Sequence, residues 1–477
     1  MNDRKISGMR LPVIFLTLTI MILCGSSAVP GVKGEAWAAE DTASLFQKYK
    51  GEQQEIKLPE KVTDVVLAGS GRYLLIQMGA AKQLAVFDVN QAKIIKTLPL
   101  ISDKVKIAAG AEKFIVIDSD QHIIERWSLT TFEREKVSQT PFSGILKAVG
   151  MGYASQGPFV VRFAEEEDYD AKTGCLLVDL ETLAPVPDLT FRQRMGFPRN
   201  RETMRIRASA GGELFGISTV RRDRESHLWV LDGKKVNNYR SYNLEFIRPL
   251  PDASYVLTRY GLFTRELFYR GNERGKEAQY VTTLHPAFYL EVPYFSRDKT
   301  GTSSGSDYFG ILYLTETGQR IANLPLSPLN LEQDESKYGE PEFAPEFSLD
   351  KRLVYIPQAD LLLTFPYTND RMLMTPIQLQ AELKKRGTDY LFISSLPPSH
   401  CQKGKTLEYS LQVESSSSQF EVELSAAPEG MKLIDSKKLR WEVPESFDDD
   451  EVFVVITVKA KGDQTEFQTF RLEVQDR

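Results

Sequence analysis

Ala68-Gly69-Ser70-Gly71 and, forty residues on, Ala108-Ala109-Gly110-Ala111 occupy the same place in two copies of one unit. Around them, Tyr73-Leu74-Leu75-Ile76 aligns with Lys113-Phe114-Ile115-Val116, and Val86-Phe87-Asp88-Val89 with Arg126-Trp127-Ser128-Leu129. Each copy, within Asp64 to Val137, holds four short apolar runs broken by turn residues. Four strands per unit at a period near forty is the pattern of a β-propeller blade. Glycine recurs at the first turn because it takes positive φ without steric cost.

Outward from this pair, the unit repeats with drifting length. A third copy spans Gly144 to Pro185 with an acidic loop at Glu165 to Asp168, and a fourth spans Met204 to Val236. A fifth holds Phe246-Ile247, Tyr255 to Leu257 and Leu267 to Tyr269; a sixth holds Phe288 to Leu290 and Phe309 to Leu314; a seventh holds Leu353 to Ile356 and Leu361 to Leu363. An apolar pair followed by Asp recurs at Phe87-Asp88, Val178-Asp179 and Leu231-Asp232. The expected fold is all-β: a seven-bladed β-propeller over residues 50–390, with six to eight blades compatible with the spacing. Glu55 to Leu58 is expected to complete the last blade and hide its edge. Helical periodicity is confined to Ile377 to Lys385. The repeats resemble WD40-like or quinoprotein-like propellers of exported bacterial proteins, without a Gly-His to Trp-Asp pairing in each blade.

Past Leu396-Pro397-Pro398 the period becomes a clean two: Leu407, Tyr409, Leu411 and Val413, then Leu439, Trp441 and Val443, then Val452, Val454, Ile456 and Val458. That alternation predicts an immunoglobulin-like antiparallel sandwich over 397–477 with Trp441 in its core. The stretch PEGMKLIDSKKLRWEVPE, Pro428 to Glu445, resembles the cadherin-like putative immunoglobulin domain of bacterial surface proteins. The resemblance implies an adhesion or spacer module.

At the N-terminus, Arg4, Lys5 and Arg10 precede the apolar run Leu11 to Leu23. This is the layout of a secretory signal, too short to span a bilayer comfortably. Ser26-Ser27-Ala28 and Ala36-Trp37-Ala38 both fit a small-x-small cleavage rule; the second is preferred, so residues 1–39 are read as signal peptide and c-region. The expected destination is periplasmic, cell-envelope or extracellular, with no membrane span after cleavage.

Net charge is −6 over 477 residues, and the segment from Pro397 onward carries all of it, with 10 basic and 16 acidic residues. A neutral body with an acidic tail lacks the basic footprint of a nucleic-acid binder. Three cysteines, Cys24, Cys175 and Cys401, make no disulfide scaffold and no C-x-x-C site. Cys175 and Cys401 are read either as a bridge or as two isolated thiols.

Candidate chemistry is sparse. Gly301 to Gly305 matches G-x-S-x-G, but a charged stretch precedes it where a nucleophile elbow needs an apolar strand. His122, His227, His285 and His400 are scattered and read as turn or surface residues. Arg192, Arg194, Arg199, Arg201, Arg205 and Arg207, with Arg221, Arg222 and Arg224 in the same blade, are the best candidate for an anion- or partner-binding face. A solvated loop paired with Glu202, Asp223 and Glu225 is the competing reading. Asp448, Asp449 and Asp450 are weak calcium candidates, because calcium needs several converging oxygens.

No cofactor is expected. The leading expectation is an exported, non-enzymatic binding or scaffold protein with a protein or glycan partner. The alternative is a propeller-cavity enzyme of quinoprotein, lyase or glycosidase type, which a convergence of buried His, carboxylate and Arg in the channel would favour. The quinoprotein form is disfavoured by only four Trp residues. A structural envelope component is a third reading.

Overall fold

The computed structural model describes residues 45–164, 173–187, 190–191, 204–219, 225–270 except 234, 243 and 245, then 278–292, 309–326, and 347–475 except 388, 396, 399, 436 and 463. Nearly every described element is a strand. Among the described residues, seven sheets follow one another in chain order as far as residue 376, and neighbouring strands within each are antiparallel, apart from one short parallel pairing in blade four.

Blade one consists of Asp64–Ala68, Tyr73–Met78, Gln83–Asp88 and Lys93–Pro99, paired in sequence order. Blade two repeats this with Lys106–Ala109, Lys113–Asp118, Ile123–Ser128 and Arg134–Gln139. Blade three has Ile145–Gly150, Phe159–Ala164 and Thr173–Val178. Blade four has Met204–Ala208, Leu214–Thr219, Glu225–Asp232 and Lys235–Tyr242, with Thr190–Phe191 parallel to the last. Blade five is the smallest, with Arg248–Pro249, Val256–Thr258 and Gly261–Phe263. Its third strand departs from the expected Leu267 to Tyr269, which contributes only a Phe263–Tyr269 bridge. Blade six holds Gln279–Thr282, Phe288–Val292, Phe309–Leu314 and Arg320–Pro325, and blade seven Leu353–Ile356, Leu361–Thr364 and Arg371–Pro376.

Closure is visible in both hydrogen bonds and packing. Gln54–Lys57 pairs with Arg371–Pro376, Glu55 opposite Leu373, so the start of the chain supplies the outer strand of the last blade. Apolar clusters lie between neighbouring sheets all the way round. Leu75 and Val86 of blade one meet Phe114 and Val116 of blade two; Leu74 and Ile76, on the opposite face, meet Ile356 and Leu363 of blade seven. The period-two pattern explains this, since successive side chains point to opposite faces and each face is covered by a neighbour.

The recurrent Asp has a local cause. Asp88 is fully buried and its carboxylate accepts from Asn90 N–H (2.8 Å) and Gln91 N–H (3.1 Å), capping the turn into the fourth strand. Asp179 does the same with Thr182 N–H at 2.7 Å.

The helix Leu379–Arg386 falls where periodicity predicts it, and its Leu379 and Leu383 pack on blades six and seven. Beyond it lies a two-layer sandwich. One sheet comprises Phe420–Ala426, Glu451–Ala460, Gln464–Gln475 and His400–Gln402; the other comprises Thr406–Ser410, Lys438–Glu442 and Lys432–Ile434. Trp441 is fully buried between them, its indole N–H donating to Glu429 O at 3.1 Å. Cys175 and Cys401 are both free and buried, in separate cores. No helix among the described residues is long and apolar enough to cross a membrane.

Candidate functional site

The ring axis is where the seven inner strands converge. Each inner strand runs toward the same rim, where it turns back into the second strand. The quoted Ala/Gly/Ser segments are those turns. Gly69 N–H donates to Gly110 O (2.8 Å), Ala111 N–H to Ser155 O (2.9 Å), Ala154 N–H to Ala210 O (2.9 Å) and Ala210 N–H to Pro251 O (2.9 Å). Leu284 N–H of blade six donates to Tyr355 O of blade seven at 3.0 Å, and Ser70 N–H reaches Tyr153 O of blade three at 2.9 Å. A Cβ at Gly110 would overlap Ser155 O, and one at Gly152 would overlap Ala210 O. Small residues recur here because the backbones of neighbouring blades touch.

Charged side chains from three blades also meet near the axis. Asp350 sits in the short helix Leu349–Arg352 that enters blade seven. Its carboxylate is ion-paired to Arg207 Nε, accepts from Ser348 Oγ at 2.5 Å, and lies 3.5 Å from Arg248 Nε. Arg207 Nη2 also donates to Ser348 Oγ at 3.0 Å. Burial disfavours the Asp350 anion, but Arg207 and Arg248 outweigh it, and with Arg205 they hold the carboxyl well below the usual carboxylate range. Next along the helix, Lys351 Nζ bonds Asp64 Oδ2 at 2.7 Å, on the first residue of blade one's inner strand. Burial pushes the Lys351 ammonium down, and Asp64 acts against that shift.

Beside this network is a cavity of about 50 Å³, lined by Leu67, Tyr153, Ala208, Pro251, Thr283 and Asp350 among others. It has room for a few waters and is far below the roughly 300–1,000 Å³ of a ligand pocket.

The structure places the expected site residues unevenly. Arg205 is buried, 6% exposed, and Arg207 is ion-paired at the axis, so these two do not form an exposed anion face. Their positions on an inner strand turn them inward. Arg192, Arg194, Arg199, Arg201, Arg221, Arg222 and Arg224 lie outside the described residues, as do Gly301 to Gly305 and the acidic loop Glu165 to Asp168. Asp448, Asp449 and Asp450 are exposed in the turn before Glu451–Ala460. Among the described residues no group of three or more His, Cys, Asp or Glu could hold a metal ion.

The reading of the histidines as turn or surface residues fits His122 and His400, both exposed, and needs correcting for the other two. His227 is fully buried in blade four, its Nδ1 3.1 Å from Asn238 Oδ1. His285 is buried with Nδ1 accepting from Ala287 N–H (3.2 Å) and Nε2 3.3 Å from Ser394 O, and burial pushes its pKa down to about 4. In each case a polar partner makes burial tolerable.

Asp350, Arg248, Asp64 and Lys351 carry no signal in the sequence. Each is one charge in a strand or helix with no local motif.

No protein-family model matches the chain. No curated protein matches it either. Among solved structures, the beta-propeller domain of Cps50 (Swd1) from Myceliophteria thermophila is similar at 11% identity and a TM-score of 0.42, over 68% of this chain and 98% of that one. Kuenenia stuttgartiensis hydrazine synthase is similar at 11% identity and a TM-score of 0.34, over 70% of this chain and 82% of that one.

Proposed function

We propose that this chain is an exported, non-enzymatic binding or scaffold protein of the cell envelope. A rim of the ring engages a protein or glycan partner, and the sandwich, read as cadherin-like, serves as spacer or adhesion unit. The observation that carries this reading is the state of Asp350. Its carboxylate is bonded to Arg207 and Ser348 and faces Arg248, beside a cavity of about 50 Å³. A carboxylate so engaged is a poor general base, because its affinity for a proton is depressed. The charges at the axis hold inner strands together, which leaves the rims for recognition. Export rests on the basic and apolar layout of residues 1–39.

The enzyme reading draws on the same convergence of a carboxylate with arginines. It requires the ion pairs to open for a substrate. The two readings separate in one experiment: cross-linking and affinity capture from the native envelope, then reconstitution with the purified partner. A stoichiometric complex retained by Asp350→Asn supports the binding role. Turnover of a substrate that is lost in folded Asp350→Asn overturns it.

A further inference from the structure

One short strand belongs to two cores. Leu391–Ile393 follows the helix Leu379–Arg386 and pairs antiparallel with Val413–Ser415, Phe392 opposite Glu414. Its side chains alternate in direction, as period two requires. Leu391 and Ile393 lie in the sandwich core with Leu407, Tyr409 and Leu472. Phe392, with Tyr390 before it, lies in the core of blades six and seven and packs edge-on against Phe288, ring centroids 4.9 Å apart. Just past the strand, Ser394 donates its N–H to Gln412 O at 2.8 Å, and Ser395 Oγ lies 2.6 Å from Tyr409 Oη, which is 2.9 Å from Gln468 Oε1. On its sandwich side the segment is therefore fastened by a strand pairing and a side-chain network.

On the ring side it is held by His285, in the turn between the first two strands of blade six. Ala287 N–H donates to His285 Nδ1 at 3.2 Å, and Nε2 is 3.3 Å from Ser394 O. An amide N–H can only donate, so Nδ1 is bare and the ring proton sits on Nε2, where it donates to Ser394 O. Thr283 Oγ1 fixes the turn, accepting from His285 N–H at 3.1 Å and donating to His285 O at 2.7 Å. The imidazole is 2% exposed, so almost no water reaches it. A second proton would have to enter on Nδ1, against the Ala287 N–H, and would leave a buried cation without an anion. Around the ring stand Thr283, Ala287 and Phe288 of its own turn and Ser394 of the linker, none of them charged. Tyr390, its ring 5.9 Å from that of Phe392, titrates only above 10. Among the described residues no charged side chain acts on His285.

We propose that His285 is an acid-sensitive catch between ring and sandwich: while neutral it holds Ser394 and seats the shared strand on blade six, and its protonation loosens that seat. Burial pushes the imidazole down to about 4, with the Ser394 carbonyl acting against the shift. Released into water, the same ring returns toward its ordinary value of 6.5. Above 6.5 neither form binds the proton, and the seat is at its firmest. Between the two values the released form holds a proton that the seated form refuses. Seating therefore weakens as pH falls, by up to about tenfold per unit, and levels off below the lower value. The device lies at the one strand whose two faces serve different cores, so loosening it changes how the sandwich is carried.

Hydrogen exchange of the full chain tests this, read over Leu391 to Ser394 and over Thr283 to Phe288, with Tyr73–Met78 of blade one as internal reference and corrected for the intrinsic pH dependence of exchange. From pH 7.5 to pH 4.5 the open population of the joint rises at least about tenfold in the wild type, while the reference strand holds. His285→Gln keeps a donor for Ser394 O and does not titrate, so its profile is flat over the same range. A flat wild-type profile overturns the proposal, as does an equal rise in the reference strand or an unchanged slope in His285→Gln. Should His285→Gln be open at every pH, the imidazole resonances of the wild type decide. A His285 that stays neutral down to about pH 5 supports the catch, and one that titrates near the ordinary value for histidine overturns it.

Discussion

Lys351 Nζ and Asp64 Oδ2 are 2.7 Å apart and 287 residues apart in sequence. The first belongs to the helix that enters blade seven, the second to the first residue of blade one's inner strand. This contact joins the two ends of the ring at its axis, as Gln54–Lys57 joins them at the periphery. Both side chains are largely removed from water, 20% and 15% exposed. Lys351→Met is expected to lower stability by about 1–3 kcal/mol, less than a fully buried pair because water still reaches both groups. A double-mutant cycle with Asp64→Asn in urea unfolding isolates the coupling, expected at about 1 kcal/mol or more. A coupling of zero would make the contact incidental.

Asp350 binds together three parts of the ring, since Arg207 belongs to blade four, Arg248 to blade five and Asp350 itself to the entry to blade seven. Asp350→Ala removes the carboxylate that Arg207 and Arg248 share and is expected to cost about 2–4 kcal/mol. The charge-preserving Asp350→Glu and the isosteric Asp350→Asn distinguish loss of charge from loss of shape in the same urea assay.

The same carboxylate makes a pH prediction. Its folded pKa lies below the ordinary value of 3.8, so near that pH the unfolded chain binds the extra proton. The stability it contributes is present above about pH 4 and is lost as pH falls through the folded value. Denaturant midpoints measured between pH 5 and pH 2.5 are expected to fall more steeply for wild type than for Asp350→Asn. Parallel curves would remove Asp350 as a cause of acid sensitivity.

Gly110 is required for contact and not for an unusual backbone angle. A Cβ there would overlap the carbonyl oxygen of Ser155, which accepts from Ala111 N–H at 2.9 Å. Gly110→Ala is expected to separate blades two and three at these turns and cost about 1–3 kcal/mol. Hydrogen exchange at Ala111 should rise with it. An unchanged Ala111 amide would show that the turns are not held by this contact.

Removal of Gln54–Lys57 takes the outer strand from blade seven and exposes the edge of Arg371–Pro376. The expected result is a thermal midpoint lower by several degrees together with concentration-dependent association, read by calorimetry and by light scattering.

Much of the fold was legible locally. The Ala/Gly/Ser turns were visible because backbone contact between blades tolerates only small residues there. The Asp after an apolar pair was visible because turn capping uses residues two and three positions away. Leu379–Arg386 and the alternating sandwich strands were visible because burial on one face imposes a period. Blade five was misjudged at Leu267 to Tyr269, since three-residue strands such as Gly261–Phe263 are too short to show a period. The inward course of Arg205 and Arg207 was also missed, because charge type does not reveal whether a strand lies at the axis or the edge.

The amino-acid order by itself determined the all-β class, the repeated blade and the closing strand, since each depends on patterns spanning a few residues. Tertiary structure alone decided that Asp64 meets Lys351 and that Asp350 gathers arginines from two blades. Those relationships arise when ring closure brings single charges from distant segments into one low-dielectric space, and no local periodicity encodes that meeting.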